Sequence, residues 1–273
     1  MNIVKICGDP AQQMFQYAFY YALLQHHPEA RLHVAEPKWI DARFRLPRFI
    51  MAEEADLKPF GMGSLMNRMF AKLKTPAGNI CHEPLDHRFD ADLLKQTDTY
   101  FAGEWLSPRY FEAVADDLKR AFAVPEKALP ASSASMLHML QQGKTVAMHV
   151  HEPESALSTC TPDYYNWAIA NILSTFRHPH FYVFTTNIEW VNAHINFQGA
   201  KVEMVQYPAS AETSLMAYLY RASHVIMANR LVSWWGAWLT DNDDKIVIAP
   251  QKWAKNADYP DLLPIHWTQI PIN

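Results

Sequence analysis

Three short stretches of this chain carry side chains able to hold an anion or move a proton. The first is Asn229–Ser233, which follows an apolar run, His224–Ala228, and precedes an aromatic segment holding Trp234, Trp235 and Trp238. A buried strand, a polar turn and then a helix present backbone N–H groups to a ligand at the helix N-terminus. Arg230 and the Ser233 hydroxyl beside such an N-terminus suit a phosphate, and Asn229 adds an amide. Taken alone, Arg230 is as readily a solvated cap residue. The second stretch is His149–Glu154, HVHEPE. His149 and His151 share one side of a strand with Val150 on the other. With Glu152 and Glu154 they offer a base, or two ligands of an incomplete metal site, although a lone histidine is more often a satisfied core residue. The third stretch is Gly8–Gln16, GDPAQQMFQ. Asp9 adds a further acid there, and Gln12 and Gln13 can hydrogen-bond a ligand from a helix start; an ordinary helix start is the plainer reading.

Those stretches need elements to aim them. Residues 2–7 read as a strand, Gly8–Pro10 as a turn, 11–26 as a helix apolar nearly all round, and 31–35 as a second strand. Strand, helix and strand at this spacing make a right-handed βαβ unit. Residues 36–97 carry prolines at 37, 47, 59, 76 and 84 and a modest helical pattern near Leu65–Leu73, so an irregular insertion is expected there. A strand at 98–102 follows, then a helix to about Phe122 capped by Ser107-Pro108. The Pro- and Ser-rich stretch 124–143 leads into a regular series: strands at 145–150, 181–186, 201–205, 224–228 and 245–249, with helices at 163–177, from Ile188, at 211–222 and over the tryptophans. Such alternation marks parallel sheets with helices on both faces. The expected architecture is α/β, with two Rossmann-type halves and a cleft between them. Residues 1–140 form the first half with the insertion at 36–97, and 141–273 form the second.

Composition narrows the function. The chain has 273 residues, 49% hydrophobic and 19% charged, with a net charge of −4 and no long basic run. A packed core is expected, and a dedicated nucleic-acid binder is not. Any anionic ligand must be held by a local site. Cys7, Cys81 and Cys160 are far apart and odd in number, which fits free thiols in a reducing compartment. No stretch approaches the ~18 apolar residues of a membrane span, and the N-terminus lacks a signal-peptide pattern. A cytoplasmic location is the default, with peripheral membrane association left open. No HExxH, GxGxxG, P-loop or GxSxG is present, so the motifs give no metal, dinucleotide, ATP or serine-hydrolase site.

Four segments in order, QMFQYAF (13–19), GEWLSPRYF (103–111), FYVFTTNIEWV (181–191) and ANRLVSWWGAWL (228–239), resemble the family-11 glycosyltransferases, the α-1,2-fucosyltransferases. The resemblance runs from near residue 2 to about residue 253, and SWWGAWL is its most specific part. It implies a GT-B-like pair of halves and a GDP-sugar donor, normally GDP-fucose, held mainly by the C-terminal half. A glycan acceptor would sit toward the N-terminal half. The implied reaction is inverting and metal-independent, with the GDP-sugar as substrate and no cofactor.

This sequence departs from the family where the chemistry should be. The family's GGLGNQMFQYA keeps only Gly8 and Gln13 before the methionine, with Gln12 in place of Asn. Its H-x-R-R-G-D keeps His149, but His151 and Glu152 replace both arginines, Pro153 the glycine and Glu154 the aspartate. Its FSDD becomes Phe184, Thr185, Thr186 and Asn187. Its NSSFSWWGAWL keeps Asn229 and Ser233, with Arg230, Leu231 and Val232 between them. A charge-assisted contact to a diphosphate contributes about 1.5–3 kcal/mol per bond, and a glutamate in an arginine's place adds repulsion. Two expectations follow. In one, a divergent glycosyltransferase uses Arg230 as the replacement cation, with Gln12, Gln13, His149, Asn229 and Ser233 as donor contacts and His151, Glu152 or Asp9 in the catalytic role. In the other, catalysis is lost and a carbohydrate- or partner-binding protein remains.

Overall fold

The computed structural model describes residues 1–273 apart from 36–43, 64–68, 70–76, 132, 154–158, 241, 243 and 272–273. The chain forms two compact units. One comprises Met1–Phe122 with Pro260–Leu262, the other Ala123–Tyr259 with Leu263–Asn273.

The first unit is built on a parallel sheet in the order β2-β1-β4-β3, from β1 (Ile3–Ile6), β2 (Arg31–Val34), β3 (Asn79–His82) and β4 (Thr99–Ala102). Parallel neighbours cannot be joined by a tight turn, so the chain crosses over between β1 and β2 through helix α1 (Pro10–Leu23). The sequence starts that helix firmly. Gly8 takes a left-handed φ of 85°, Pro10 sits at the first turn, and Asp9 and Gln12 close a capping box. Phe15, Tyr17, Phe19 and Tyr20 of α1 are fully buried, and Phe19 stacks on Trp105 with ring centroids 4.4 Å apart. A short helix α2 (Glu54–Leu57) and helix α3 (Ala115–Phe122) complete the regular helices described in this unit. The returning segment is tied down by Asp261, which accepts from the Phe89 N–H at 2.8 Å and from Arg109 at 3.1 Å.

Two expectations are corrected here. The stretch 36–97 is not wholly an insertion, because Asn79–His82 pairs in register with Thr99–Ala102 as an edge strand. It is four residues long and mostly exposed, so no apolar alternation announces it. The single helix from Ser107 to Phe122 is instead two 3₁₀ turns, Pro108–Tyr110 and Glu112–Val114, followed by α3. Ser107 makes no side-chain cap bond, and Phe111 leaves helical geometry with φ −120° and ψ 17°. The helical pattern near Leu65–Leu73 lies largely outside the described residues.

The second unit opens with α4 (Ser133–Leu140) and holds six parallel strands in the order β10-β9-β8-β5-β6-β7. They are β5 (Thr145–Val150), β6 (His180–Thr185), β7 (Lys201–Gln206), β8 (His224–Ile226), β9 (Val247–Pro250) and β10 (Thr268–Ile270). The connecting helices are α5 (Pro162–Thr175), α6 (Ile188–His194), α7 (Glu212–Arg221) and α8 (Leu231–Trp238). The sheet's last strand, β10, was not expected; it is three residues long and pairs beside β9. The core gathers Val146, Met148, Val150, Tyr164, Tyr165, Ile169, Phe181, Val183, Ile226 and Ile248. Trp234 and Trp235 are fully buried and meet edge to face, with centroids 4.9 Å apart. Gly236 lets α8 lie close against α7, since a Cβ there would stand 2.6 Å from the Leu219 Cβ. Lys245 donates to the Leu219 and Tyr220 carbonyls at 3.1 and 3.0 Å, satisfying the last turn of α7.

Strand order locates the ligand position in this sheet. From β5 the chain proceeds outward through β6 and β7, then returns to the other side of β5 as β8 and continues to β9 and β10. The order reverses between β5 and β8. In an open parallel sheet the crevice beyond the strand carboxyl ends at such a reversal is where ligands bind.

Candidate functional site

His149 is the penultimate residue of β5 at this reversal, and Asn229 and Arg230 follow β8, the strand beside it. His149 is 1% exposed and engages both ring nitrogens: Nδ1 pairs with the Ser233 Oγ and Nε2 with the Tyr207 hydroxyl at 2.8 Å. Burial first, then the neighbouring His151 and Arg230, pushes the His149 imidazole down to about 3. It is therefore neutral near pH 7 and acts as a polar connector. Ser233 is fully buried in the first turn of α8, its hydroxyl engaged by His149. His151 lies just past the end of β5, its ring 6.4 Å from that of His149, and its backbone N–H donates to the Tyr165 hydroxyl at 3.1 Å.

Arg230 is the exposed N-cap residue of α8 and makes no side-chain capping bond. Its charge acts on both His149 and Tyr207, which brings a cation to the β5 side of the reversal. The other candidates are tied elsewhere. Glu152 accepts from the Asn187 amide at 2.8 Å, and Asn187 in turn caps α6 through the Trp190 N–H. Asn229 donates from its backbone to Cys160 Sγ at 3.2 Å and from its amide to the Trp253 carbonyl at 3.2 Å. Glu154 lies outside the described residues.

In the first unit the ends of β1, β3 and β4 form a second rim. Asp9 accepts from the Gln12 N–H at 2.9 Å, and the Gln12 Oε1 accepts the Asp9 N–H at 2.9 Å. Gln12 Nε2 then donates to the Glu104 carboxylate at 2.8 Å. Gln13, buried, donates to the Gly8 carbonyl at 2.9 Å. Gln16 bridges the same two loops, accepting from the Cys7 N–H at 2.8 Å and donating to the Gly103 carbonyl at 3.0 Å. Glu83, just past β3, accepts three successive backbone N–H groups, those of Glu104, Trp105 and Leu106, at 2.6, 2.7 and 3.0 Å. That clamp holds Trp105 in the left-handed region at φ 59°.

Two residues of these rims escaped the sequence reading. Tyr207 follows β7 in a stretch with no recognisable motif. Glu104 sits inside GEWLSPRYF, a segment used only to establish the resemblance. Burial pushes the Glu104 carboxyl above the usual carboxylate range; Glu83 and Asp9 add to this, against His87 and the Gln12 hydrogen bond. Its position one residue past a strand-end glycine was the available signal.

The fold and these rims define a class: two Rossmann-type α/β units, the second with a neutral histidine, a cation and a helix N-terminus at its strand reversal. Residues 138–270 match the model of glycosyl transferase family 11. The chain is also 25% identical to an α-1,2-colitosyltransferase of Escherichia coli, over 98% of both chains. These two findings support a family-11 glycosyltransferase, with the family match lying in the second unit. Among solved structures it is similar to the ADP-heptose lipopolysaccharide heptosyltransferase II of E. coli (TM-score 0.45, 13% identity, 100% of this chain and 90% of that one). It is also similar to the fucosyltransferase NodZ from Bradyrhizobium (TM-score 0.38, 12% identity, 88% and 92%). No helix among the described residues is long and apolar enough to cross a membrane.

Proposed function

We propose that the chain transfers fucose, or another sugar such as the colitose named in its relative, from a GDP-sugar to a glycan hydroxyl. Transfer proceeds with inversion and without a metal, as the family resemblance implies. The observation that carries this reading is the gathering of His149, His151, Arg230 and the α8 N-terminus at the strand reversal of the second unit. Arg230 supplies from the β8 side the positive charge that His151 and Glu152 do not provide on the β5 side. A guanidinium beside helix N–H groups suits a diphosphate and stabilises the charge that grows on it as it leaves.

In this mechanism an acceptor hydroxyl oxygen forms a bond to the sugar C1. The C1–oxygen bond to the diphosphate breaks, and GDP departs with the electron pair. The acceptor's proton passes to a carboxylate. Glu104 is favoured for that role because burial raises its carboxyl, whereas Asp9 is occupied as a helix cap; Glu152, like Glu104, is held at one oxygen by a single amide. A carboxyl raised above its usual range is the stronger base once ionised.

A second reading, a sugar- or partner-binding relative without turnover, is favoured by His151 standing where the family has its donor-binding arginine, with the acid Glu152 in place of the second. Calorimetric titration with GDP and GDP-fucose, with assays for donor hydrolysis and for transfer to a panel of glycans, decides between them. Binding with transfer supports the enzyme, and binding without transfer or hydrolysis supports the second reading. Failure to bind either ligand, with no hydrolysis on long incubation, overturns the GDP-sugar assignment.

A further inference from the structure

Three groups at the rim of the second unit form a line of hydrogen bonds whose direction is fixed by burial. The Ser233 hydroxyl is fully buried, and among the described residues its one hydrogen-bond partner is His149 Nδ1. A buried hydroxyl whose proton finds no acceptor costs about 1–3 kcal/mol. Ser233 therefore donates to Nδ1, which leaves that nitrogen bare and puts the ring hydrogen on Nε2. Nε2–H then donates to the Tyr207 oxygen at 2.8 Å. The Tyr207 proton is left over: among the described residues the hydroxyl has no second hydrogen-bond partner. Running the line the other way would satisfy Tyr207, which is half-buried, and strand the Ser233 proton in a closed site.

The direction holds only while the imidazole carries one proton. His149 meets that condition, since burial, with the Arg230 guanidinium nearby, keeps it neutral at ordinary pH. Tyr207 also keeps its proton. Burial, then the charge of Glu212, raises its phenol to about 12 against the opposing pull of Arg230. Arg230 is the cation that acts on both Tyr207 and His149, so the spare O–H and the guanidinium serve one region of the rim.

We propose that Tyr207 is a donor-binding residue, its O–H donating to an anionic oxygen of the nucleotide-sugar diphosphate, with His149 and Ser233 as positioning residues that fix its direction. The inference rests on the GDP-sugar reading above and adds to it a residue outside the family motifs. It separates the roles of three groups: Arg230 supplies charge, Tyr207 a directed neutral donor, and Ser233 only the tautomer of His149.

The experiment titrates wild type, Tyr207→Phe and Ser233→Ala with GDP and records ¹⁵N spectra of the histidine rings in each. Wild-type His149 is expected as the Nε2–H tautomer. Tyr207→Phe keeps the ring and removes the donor, so GDP binding should weaken about tenfold to a hundredfold. Ser233→Ala should weaken it less, about threefold to tenfold, and shift His149 toward the Nδ1–H tautomer. Unchanged GDP affinity in Tyr207→Phe overturns the inference and leaves the GDP-sugar reading standing. An Nδ1–H tautomer in the wild type overturns it too, and needs no variant to fold. A wild type that binds no GDP brings down the reading and the inference together.

Discussion

The two strand-end rims of this chain are built from similar polar residues but organised differently. In the first unit the polar groups are used on one another: Gln12, Gln13 and Gln16 stitch the loop after β1 to its neighbours, and Glu83 clamps three backbone N–H groups of the loop after β4. In the second unit the hydrogen-bond line runs outward, from a buried serine through a neutral histidine to a tyrosine proton with no protein acceptor among the described residues. A closed network makes a rigid support. An open-ended one keeps donor capacity for a ligand. The difference teaches that residue type alone does not mark a binding rim; what matters is whether its donors and acceptors are already matched. Gln12, expected as a donor contact, has both ends of its amide engaged within the first unit, and Gln13, expected likewise, donates its amide nitrogen to the Gly8 carbonyl. Glu104 is the exception there, a half-buried carboxylate held at one oxygen by Gln12.

The sharpest way to break this contrast is Arg230→Ala. The side chain is exposed and makes no capping bond, so the start of α8 should keep its form. Loss of a guanidinium from a diphosphate should weaken GDP binding about a hundredfold or more, read by calorimetry. Unchanged affinity would remove Arg230 from the site and the open rim with it. Glu104→Gln comes next. It keeps the Gln12 contact within reach of an amide and removes the base, so kcat should fall about a hundredfold while GDP affinity stays at the wild-type value. The sign of the pH dependence is fixed. Glu104 must be ionised to accept a proton, and burial raises its carboxyl, so kcat falls as pH drops through a value above the usual carboxylate range. That acid limb should vanish in the variant; its persistence would assign the base elsewhere.

Much of this architecture is legible in the residues themselves. Thr145–Val150, buried throughout, reads as a strand at the same boundaries that it takes in the fold. The Trp segment announces a buried helix, and Gly8-Asp9-Pro10 announces a helix start. Short edge strands were not legible. Asn79–His82 and Thr268–Ile270 are specified by pairing to a neighbour, and neither carries a burial pattern that would betray it. At the site, His149 and Arg230 stand out through their position beside the strands that meet at the reversal. Tyr207 and Glu104 gain meaning only when parallel pairing carries strands far apart in sequence to one rim, and no local pattern encodes that. The hydrogen bonds of Asp9 and Glu152, a helix cap and an amide contact from Asn187, are likewise invisible until the fold is in hand.

Smaller effects sharpen the contrast from the first unit's side. Glu83→Ala leaves three backbone N–H groups without their carboxylate and releases a left-handed Trp105. Thermal unfolding should register a loss of about 2–3 kcal/mol, with transfer impaired through Glu104 and GDP binding retained. If GDP binding fell instead, the clamp would not be confined to the first rim.

The smallest effect is the most discriminating for the sequence-based candidates. Asp9 is exposed, and its visible function is the capping box with Gln12. Asp9→Ala should therefore cost about 1 kcal/mol of stability, the usual worth of an N-cap, and Asp9→Asn should cost almost none because asparagine caps as well. Activity should follow stability: both variants retain the wild-type pH profile, and kcat declines only as far as the loosened cap disturbs Gln12 and, through it, Glu104. A base behaves otherwise. Were Asp9 the proton acceptor, Asp9→Asn would preserve the cap and still abolish turnover. The isosteric pair thus separates a carboxylate that holds the rim closed from one that works upon a substrate.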